Sequence, residues 1–246
     1  MITRPSPPPR VAIIRNYSTT EQWGKDMLNG ICDLVHASAP TAEIQHYSPL
    51  EGGCLPEATS FDLVILTGGL YDLTSSIVEP WVSQTLEWVR DTYNHHSHTK
   101  ILGICWGHQA VLHAMGGTID LRKGGILIDV EELPLTASGR EFFQGSQNLR
   151  LHKFHKRVVS TLPEGFKLLA DNEEIVISEN GQVLSFQGHP EMAASIAQQL
   201  VDTGDSSYLS DPSPTGIAKL HNALEEPHDG VKAFGRAMSW AFSRDG

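Results

Sequence analysis

The sequence has 246 residues, with 18 lysines and arginines against 29 aspartates and glutamates, a formal net charge of −11 at pH 7. That balance argues against nucleic acid or an anionic membrane surface as the main partner, and no apolar run is long enough to span a bilayer. With 40% hydrophobic residues, the chain is expected to be an ordinary globular protein with a sizeable core, handling small molecules. Three cysteines, Cys32, Cys54 and Cys105, cannot make a disulfide framework, so the reducing cytoplasm is the expected setting.

Residues 1–10, MITRPSPPPR, are proline-rich and lack the apolar centre of a secretory signal. They are expected to form a disordered tail, with 11–246 as one domain. Val11 to Ile14 reads as a first strand. Trp23, Met27, Leu28, Ile31, Leu34 and Val35 recur at helical spacing. Glu43 to Tyr47 suits a second strand. Phe61 to Leu66 is a continuous apolar run, as in a strand buried on both faces, and it ends in Thr67-Gly68-Gly69. Trp81, Val82, Thr85, Leu86 and Val89 outline a second amphipathic helix. A polar loop with His95, His96 and His98 follows. These histidines have no cysteine or acidic ligand set at a metal-site spacing, so no metal is expected there. Ile101 to Ile104 is the next short strand, and Gln109 to Met115 a helix closed by Gly116-Gly117. This strand–helix alternation predicts a three-layer α/β fold, a mostly parallel, flavodoxin-like sheet with helices on both faces.

After Gly117 the pattern changes. Thr118 to Leu121 and Ile126 to Val130 read as strands joined by Lys123-Gly124-Gly125. Ala137 to Gln144 reads as a short helix. Leu149 to Val159, Lys167 to Ala170, Glu174 to Ser178 and Val183 to Gln187 read as further strands, with Asn180-Gly181 as a hairpin turn. His152 and His155 share one of them, and two histidines alone do not make a metal site. These segments predict a small mixed or antiparallel β extension. A helix to Val201, a mobile polar loop over 203–215 and a closing helix from Val231 to Ala241 complete the chain.

Two stretches carry chemistry. In LGICWGHQ, Leu102 to Gln109, Gly103 and Gly107 flank Cys105 at two residues on either side. A tight turn between strand and helix would hold the sulfur at a helix N-terminus, facing its partial positive charge. This is the cysteine form of the nucleophile elbow. In SFQGHPEM, Ser185 to Met192, His189 and Glu191 lie two apart, so an extended chain points both the same way. A histidine beside a carboxylate is a base with its orienting partner, and Pro190 stiffens the link. Each motif alone is weak. Together they supply a cysteine, a histidine and a glutamate.

On these residues the chain resembles the class I, or triad, glutamine amidotransferases. Gly103, Cys105, Gly107, Gln109, His189, Pro190 and Glu191 match that family's elbow and H-P-E stretch. Thr67-Gly68-Gly69 matches its oxyanion-loop position, and the order agrees from Val11 to Met192. The similarity extends to the stand-alone glutaminase subunits of GMP synthase and to γ-glutamyl peptidases. It implies a Cys105–His189–Glu191 triad that hydrolyses a γ-glutamyl amide through a thioester, without metal or organic cofactor. It also implies an oxyanion hole built from Trp106 and from Gly69 or Leu70. Gly68, Gln109, His155 and Arg157 are expected to border the substrate, glutamine or a γ-glutamyl compound. Leu70 stands where many relatives carry proline, and Arg157 where many carry aspartate. An arginine there is expected to face the α-carboxylate of the glutamyl group.

No ATP-binding loop of the G-x-x-x-x-G-K-[ST] type is present, so a synthase receiving ammonia would be a separate subunit. A stand-alone γ-glutamyl peptidase needs none. A cysteine-based α/β-hydrolase fits poorly, because its acid precedes the histidine in sequence. A non-catalytic or redirected relative is the remaining alternative.

Overall fold

The structure is a computed structural model that describes residues 7–203 and 208–243. Its centre is a seven-stranded sheet in the order β2-β1-β3-β4-β11-β10-β9. The strands are β1 (Arg10–Asn16), β2 (Glu43–Tyr47), β3 (Leu63–Gly69), β4 (Lys100–Ile104), β9 (Phe166–Ala170), β10 (Ile175–Ser178) and β11 (Val183–Phe186). The first four and β11 are parallel neighbours, and β10 and β9 extend the sheet antiparallel. This is the expected α/β architecture.

Side chains alternate across each strand, and both faces are covered. Val11, Ile13, Leu63, Ile65, Leu102 and Leu184 share one apolar cluster with Met27, Ile31, Phe234 and Met238. Those partners lie on α1 (Gln22–Ser38) and α7 (Gly230–Phe242). Ala12, Ile14, Val64, Leu66, Ile101 and Val183 share the opposite cluster with Val82, Val89 and Val111. Those lie on α2 (Pro80–His95) and α3 (Trp106–Ala114). None of these helices is long and apolar enough to cross a membrane.

Several segments depart from the sequence reading. The run from Leu149 to Val159 is not one strand. It divides at Lys156 into β7 (Asn148–His155) and β8 (Arg157–Thr161). The bend is clamped at one carbonyl: His155 Nδ1 donates to Arg157 O at 2.9 Å, and Gln109 Nε2 donates to the same oxygen at 2.9 Å. The two halves then enter different antiparallel pairs, β7 with β6 (Leu127–Pro134) and β8 with β5 (Thr118–Leu121). So β5 and β6, though joined by a glycine turn, do not pair with each other.

Past α4 (Ala137–Phe142) and α5 (Ala194–Thr203), the polar segment over 203–215 is only partly loop. Residues 204–207 lie outside the described residues, and α6 (Pro214–Leu224) begins within the segment. Ser213 caps it, accepting from Gly216 N at 3.1 Å, and Pro214 takes the first turn, where no N–H is needed. Of the expected N-terminal tail, residues 1–6 lie outside the described residues. Arg10 already belongs to β1, and Pro9 O accepts from Glu43 N at 2.8 Å.

The elbow glycines are required by close approach. A Cβ on Gly103 would stand 2.7 Å from Gly107 O, and one on Gly107 would collide with the carbonyl oxygen of Leu66 in β3. Helix α3 therefore rests directly on the backbone of β3 and β4. Gly107→Ala is expected to destabilise the fold by about 1–3 kcal/mol through overpacking, lowering the melting temperature by several degrees. An unchanged midpoint in thermal unfolding would contradict this packing.

Candidate active site

The site lies at the C-terminal ends of three adjacent parallel strands, where open α/β sheets hold their ligands. β4 ends in Cys105, β3 in Gly68-Gly69, and the turn after β11 carries His189 and Glu191. Cys105 has φ +51° and ψ −103°, an angle pair that side chains seldom adopt. It is held by its neighbours: Cys105 N donates to Phe186 O at 2.8 Å, and Cys105 O accepts from Gln109 N at 3.1 Å. The strand cannot continue through that angle, so the chain turns and α3 starts at Trp106.

His189 is fixed from both sides. Its backbone N–H donates to His152 O at 2.9 Å, bridging to β7. Its Nδ1 meets Glu191 Oε1 at 2.8 Å, and the Glu191 side chain is 1% exposed. A carboxylate accepts here, so Nδ1 carries a proton and Nε2 is the atom free to exchange one. Burial disfavours a charged imidazole, but the Glu191 carboxylate, together with charge and hydrogen-bond interaction with Cys105, overrides it and raises His189 to about 10. Gly68 lies against both: a Cβ there would come within 3.1 Å of His189 Cε1 and 3.7 Å of Cys105 Cβ. The expected grouping of Cys105, His189, Glu191 and Gly68 is thus present as geometry.

Gly69 packs its backbone against Asn16, where a Cβ would stand 2.7 Å from Asn16 O. Trp106 is buried, and its indole Nε1 donates to Tyr71 O at 3.0 Å, tying the segment after β3 to the elbow. Leu70, between them, is half-exposed. Gln109 is buried and bridges α3 to β8 and to β11's end, through Arg157 O and Gln187 Oε1 at 3.0 Å.

Two cavities meet at Cys105. A polar one, with about 10 Å³ of enclosed space, is bordered by Tyr71, Gln109, His155, Lys156 and Arg157. An apolar one, with about 50 Å³ of enclosed space, is bordered by Tyr17, Trp23, Met27, Met192 and Leu200, and also by His189 and Glu191. In the polar cavity Arg157 Nη2 is ion-paired with Asp72 Oδ2 at 2.5 Å, while its buried Nε has no partner among the described residues. His155 is held neutral: burial and the nearby Lys153 charge push it down to about 3. Its Nδ1 donates to Arg157 O, so Nε2 is an acceptor, and it is buried without a partner among the described residues.

Some residues that shape the site were not singled out in the sequence. Gln187 carried a signal, since it lies in SFQGHPEM two residues before His189. Asp72 and Tyr71 carried none. Beneath the site, wholly buried Lys153 pairs with Glu174. Next to it His108, kept neutral by burial and by Lys153 at about 3, meets Ser185 Oγ at 2.9 Å. His95, His96 and His98 form no metal site: His95 and His96 face Asp91 at 2.9 and 3.5 Å, and no metal-holding group exists among the described residues.

The family model for class-I glutamine amidotransferases matches residues 30–202. The glutamine amidotransferase-like protein chry6 of Gibberella zeae is 37% identical over 236 residues, covering 96% of each chain. Gamma-glutamyl peptidase 4 of Arabidopsis thaliana is 37% identical over 114 residues, covering 42% of this chain and 44% of that protein. Among solved structures, a glutamine amidotransferase of Thermotoga maritima superposes with a TM-score of 0.75 at 17% identity, covering 95% of this chain and 98% of that one; at that identity the likeness speaks for the fold. With a family match over most of the sequence and a relative similar along nearly its whole length, the chain belongs to the class-I glutamine amidotransferases.

Proposed function

We propose that this chain hydrolyses a γ-glutamyl amide through a glutamyl thioester on Cys105. The observation that carries the reading is the buried grouping of Glu191, His189 and Cys105, with its 2.8 Å carboxylate–imidazole bond. Cys105 Sγ attacks the γ-carbonyl carbon after its proton has passed to His189, whose proton affinity Glu191 sustains. The oxyanion is received by the backbone N–H of Trp106, the first residue of α3 and so without a helical acceptor, and by that of Gly69 or Leu70. His189 then protonates the leaving nitrogen as the C–N bond breaks. Water, deprotonated by His189, attacks the thioester and releases glutamate and the free thiol. The sum is one amide plus one water giving glutamate plus one amine.

The polar cavity suits the amino-acid end of the glutamyl group. His155 Nε2 is a neutral acceptor for the α-ammonium, and the unpaired Nε of Arg157 is a donor for the α-carboxylate. Two branches share this chemistry. In one, ammonia from glutamine passes to a separate synthase subunit. In the other, the chain acts alone on γ-glutamyl conjugates, and the likeness to a γ-glutamyl peptidase supports this branch.

Cys105→Ala is expected to abolish glutamate release from glutamine and γ-glutamyl peptides, while Cys32→Ala and Cys54→Ala retain most of it. Comparable release by the Cys105 variant would refute the nucleophile assignment.

Glu191→Gln is expected to lower kcat by roughly 100- to 10,000-fold with the fold intact, as loss of an orienting carboxylate does in related triads. It also alters stability against pH. In the parent, the folded state keeps a proton on His189 between the ordinary value of about 6.5 and about 10. The contribution is therefore full below the lower value and is lost as pH rises through the upper one. Denaturant titrations should show this alkaline loss in the parent and a much smaller one in Glu191→Gln. Identical pH dependence in both would contradict the pairing.

A further inference from the structure

Cys105 borders both cavities, but His189 and Glu191 border only the apolar one, and Arg157, His155 and Gln109 only the polar one. This partition has a stereochemical consequence. The tetrahedral carbon formed on Cys105 bears sulfur, the oxyanion, the glutamyl chain and the leaving nitrogen. The glutamyl chain carries two charges and belongs with Arg157 and His155. The nitrogen must reach His189 to be protonated, so whatever it carries projects into the apolar cavity.

Were ammonia the only leaving group, nothing from the substrate would fill that space. Its walls are aromatic and aliphatic. Tyr17 and Trp23 stand with ring centroids 5.4 Å apart at 49°, and Met27, Met192, Phe154 and Leu200 complete the lining. Such a surface gains affinity by burying an apolar group and offers little to a charged one. The enclosed space is about 50 Å³ and is open to solvent, so a larger substituent would extend into the mouth.

We propose that the apolar cavity is the leaving-group site, and that the preferred substrates are γ-glutamyl amides of amines bearing an aromatic or bulky apolar substituent. This rests on the hydrolytic reading above and specifies its substrate class. The reaction is γ-glutamyl-NH-R plus water giving glutamate and R-NH2, with R seated against Trp23 and Leu200 during acylation.

The test compares γ-glutamyl phenethylamide with γ-glutamyl ethylamide. Both release a primary alkylamine, so their intrinsic reactivities are similar and the ratio reports the cavity. The phenethylamide should be favoured in kcat/KM by roughly 10- to 100-fold, the range that burying one aromatic ring supplies. Cys105→Ala should bind it more tightly by a similar ratio in calorimetry. Trp23 and Leu200 are only partly buried, so Trp23→Ala and Leu200→Ala should fold, and each should shrink the ratio. Equal kcat/KM for the two amides, or variants that slow both equally, would overturn the assignment while leaving the hydrolytic reading standing. If neither amide is cleaved but Cys105→Ala prefers the phenethylamide, the hydrolytic reading falls and the leaving-group role with it, leaving the cavity as a binding site for the apolar substituent. Absence of both cleavage and preferential binding overturns the assignment.

Discussion

Everything at this site depends on one backbone constraint, the left-handed conformation of Cys105 at the junction of β4 and α3. A non-glycine residue at φ +51° costs on the order of 1–3 kcal/mol, and such a residue persists only where its surroundings over-determine it. Here they do. The elbow is fixed through the Cys105 N–H to Phe186 and through the contact of Gly103 with Gly107. Gly107 adds the contact with Leu66 of β3. The same contacts put α3 directly against the sheet and tie the cysteine to the two strands flanking β4. β3 brings the Gly68-Gly69 segment, and β11 leads to His189. The geometry of the three parts is therefore a property of the sheet rather than of mobile loops.

Electrostatics divides the site along the same line. On one side a carboxylate buried beside an imidazole favours a proton on His189 despite the cost of burial. On the other, burial and the charge of Lys153 strip His155 of its proton and leave a neutral acceptor. Opposite environments thus push the proton affinities of two histidines in opposite directions. The bend at Lys156 connects the two sides. β7 reaches back to the His189 backbone through His152 O, while the residues just past its end, held at Arg157 O by Gln109 and His155, line the polar cavity.

Much of this was legible in the sequence, for identifiable reasons. The parallel strands are short, apolar and separated by amphipathic helices, so local pattern sufficed. The elbow and the H-P-E stretch were visible because their chemistry depends on residues close together in the chain. Even there the reason differed in part. Spacing suggested that Gly103 and Gly107 allow both tight angles and close approach; the close approach is theirs, and the unusual angle falls on Cys105 itself. The break at Lys156 was not legible, since Leu149 to Val159 reads as unbroken strand and the clamp includes Gln109, 48 residues away. Asp72, the partner of Arg157, sits in a polar exposed turn that looks like any other. Helix α6 was hidden within a polar stretch, although Ser213-Pro214 is a helix-start signal and Ile217, Leu220 and Leu224 follow at helical spacing.

On the proposed mechanism, the fold makes Cys105, which is buried, a better nucleophile toward a glutamyl group than the exposed Cys54. This is tested most directly by a chloroketone analogue of glutamine, with adducts located by peptide mapping at partial modification. Cys105 should be labelled first, and excess glutamine should protect it. An unselective reaction would follow exposure. Labelling of Cys54 or Cys32 ahead of Cys105, or labelling of Cys105 that glutamine does not slow, would contradict the mechanism.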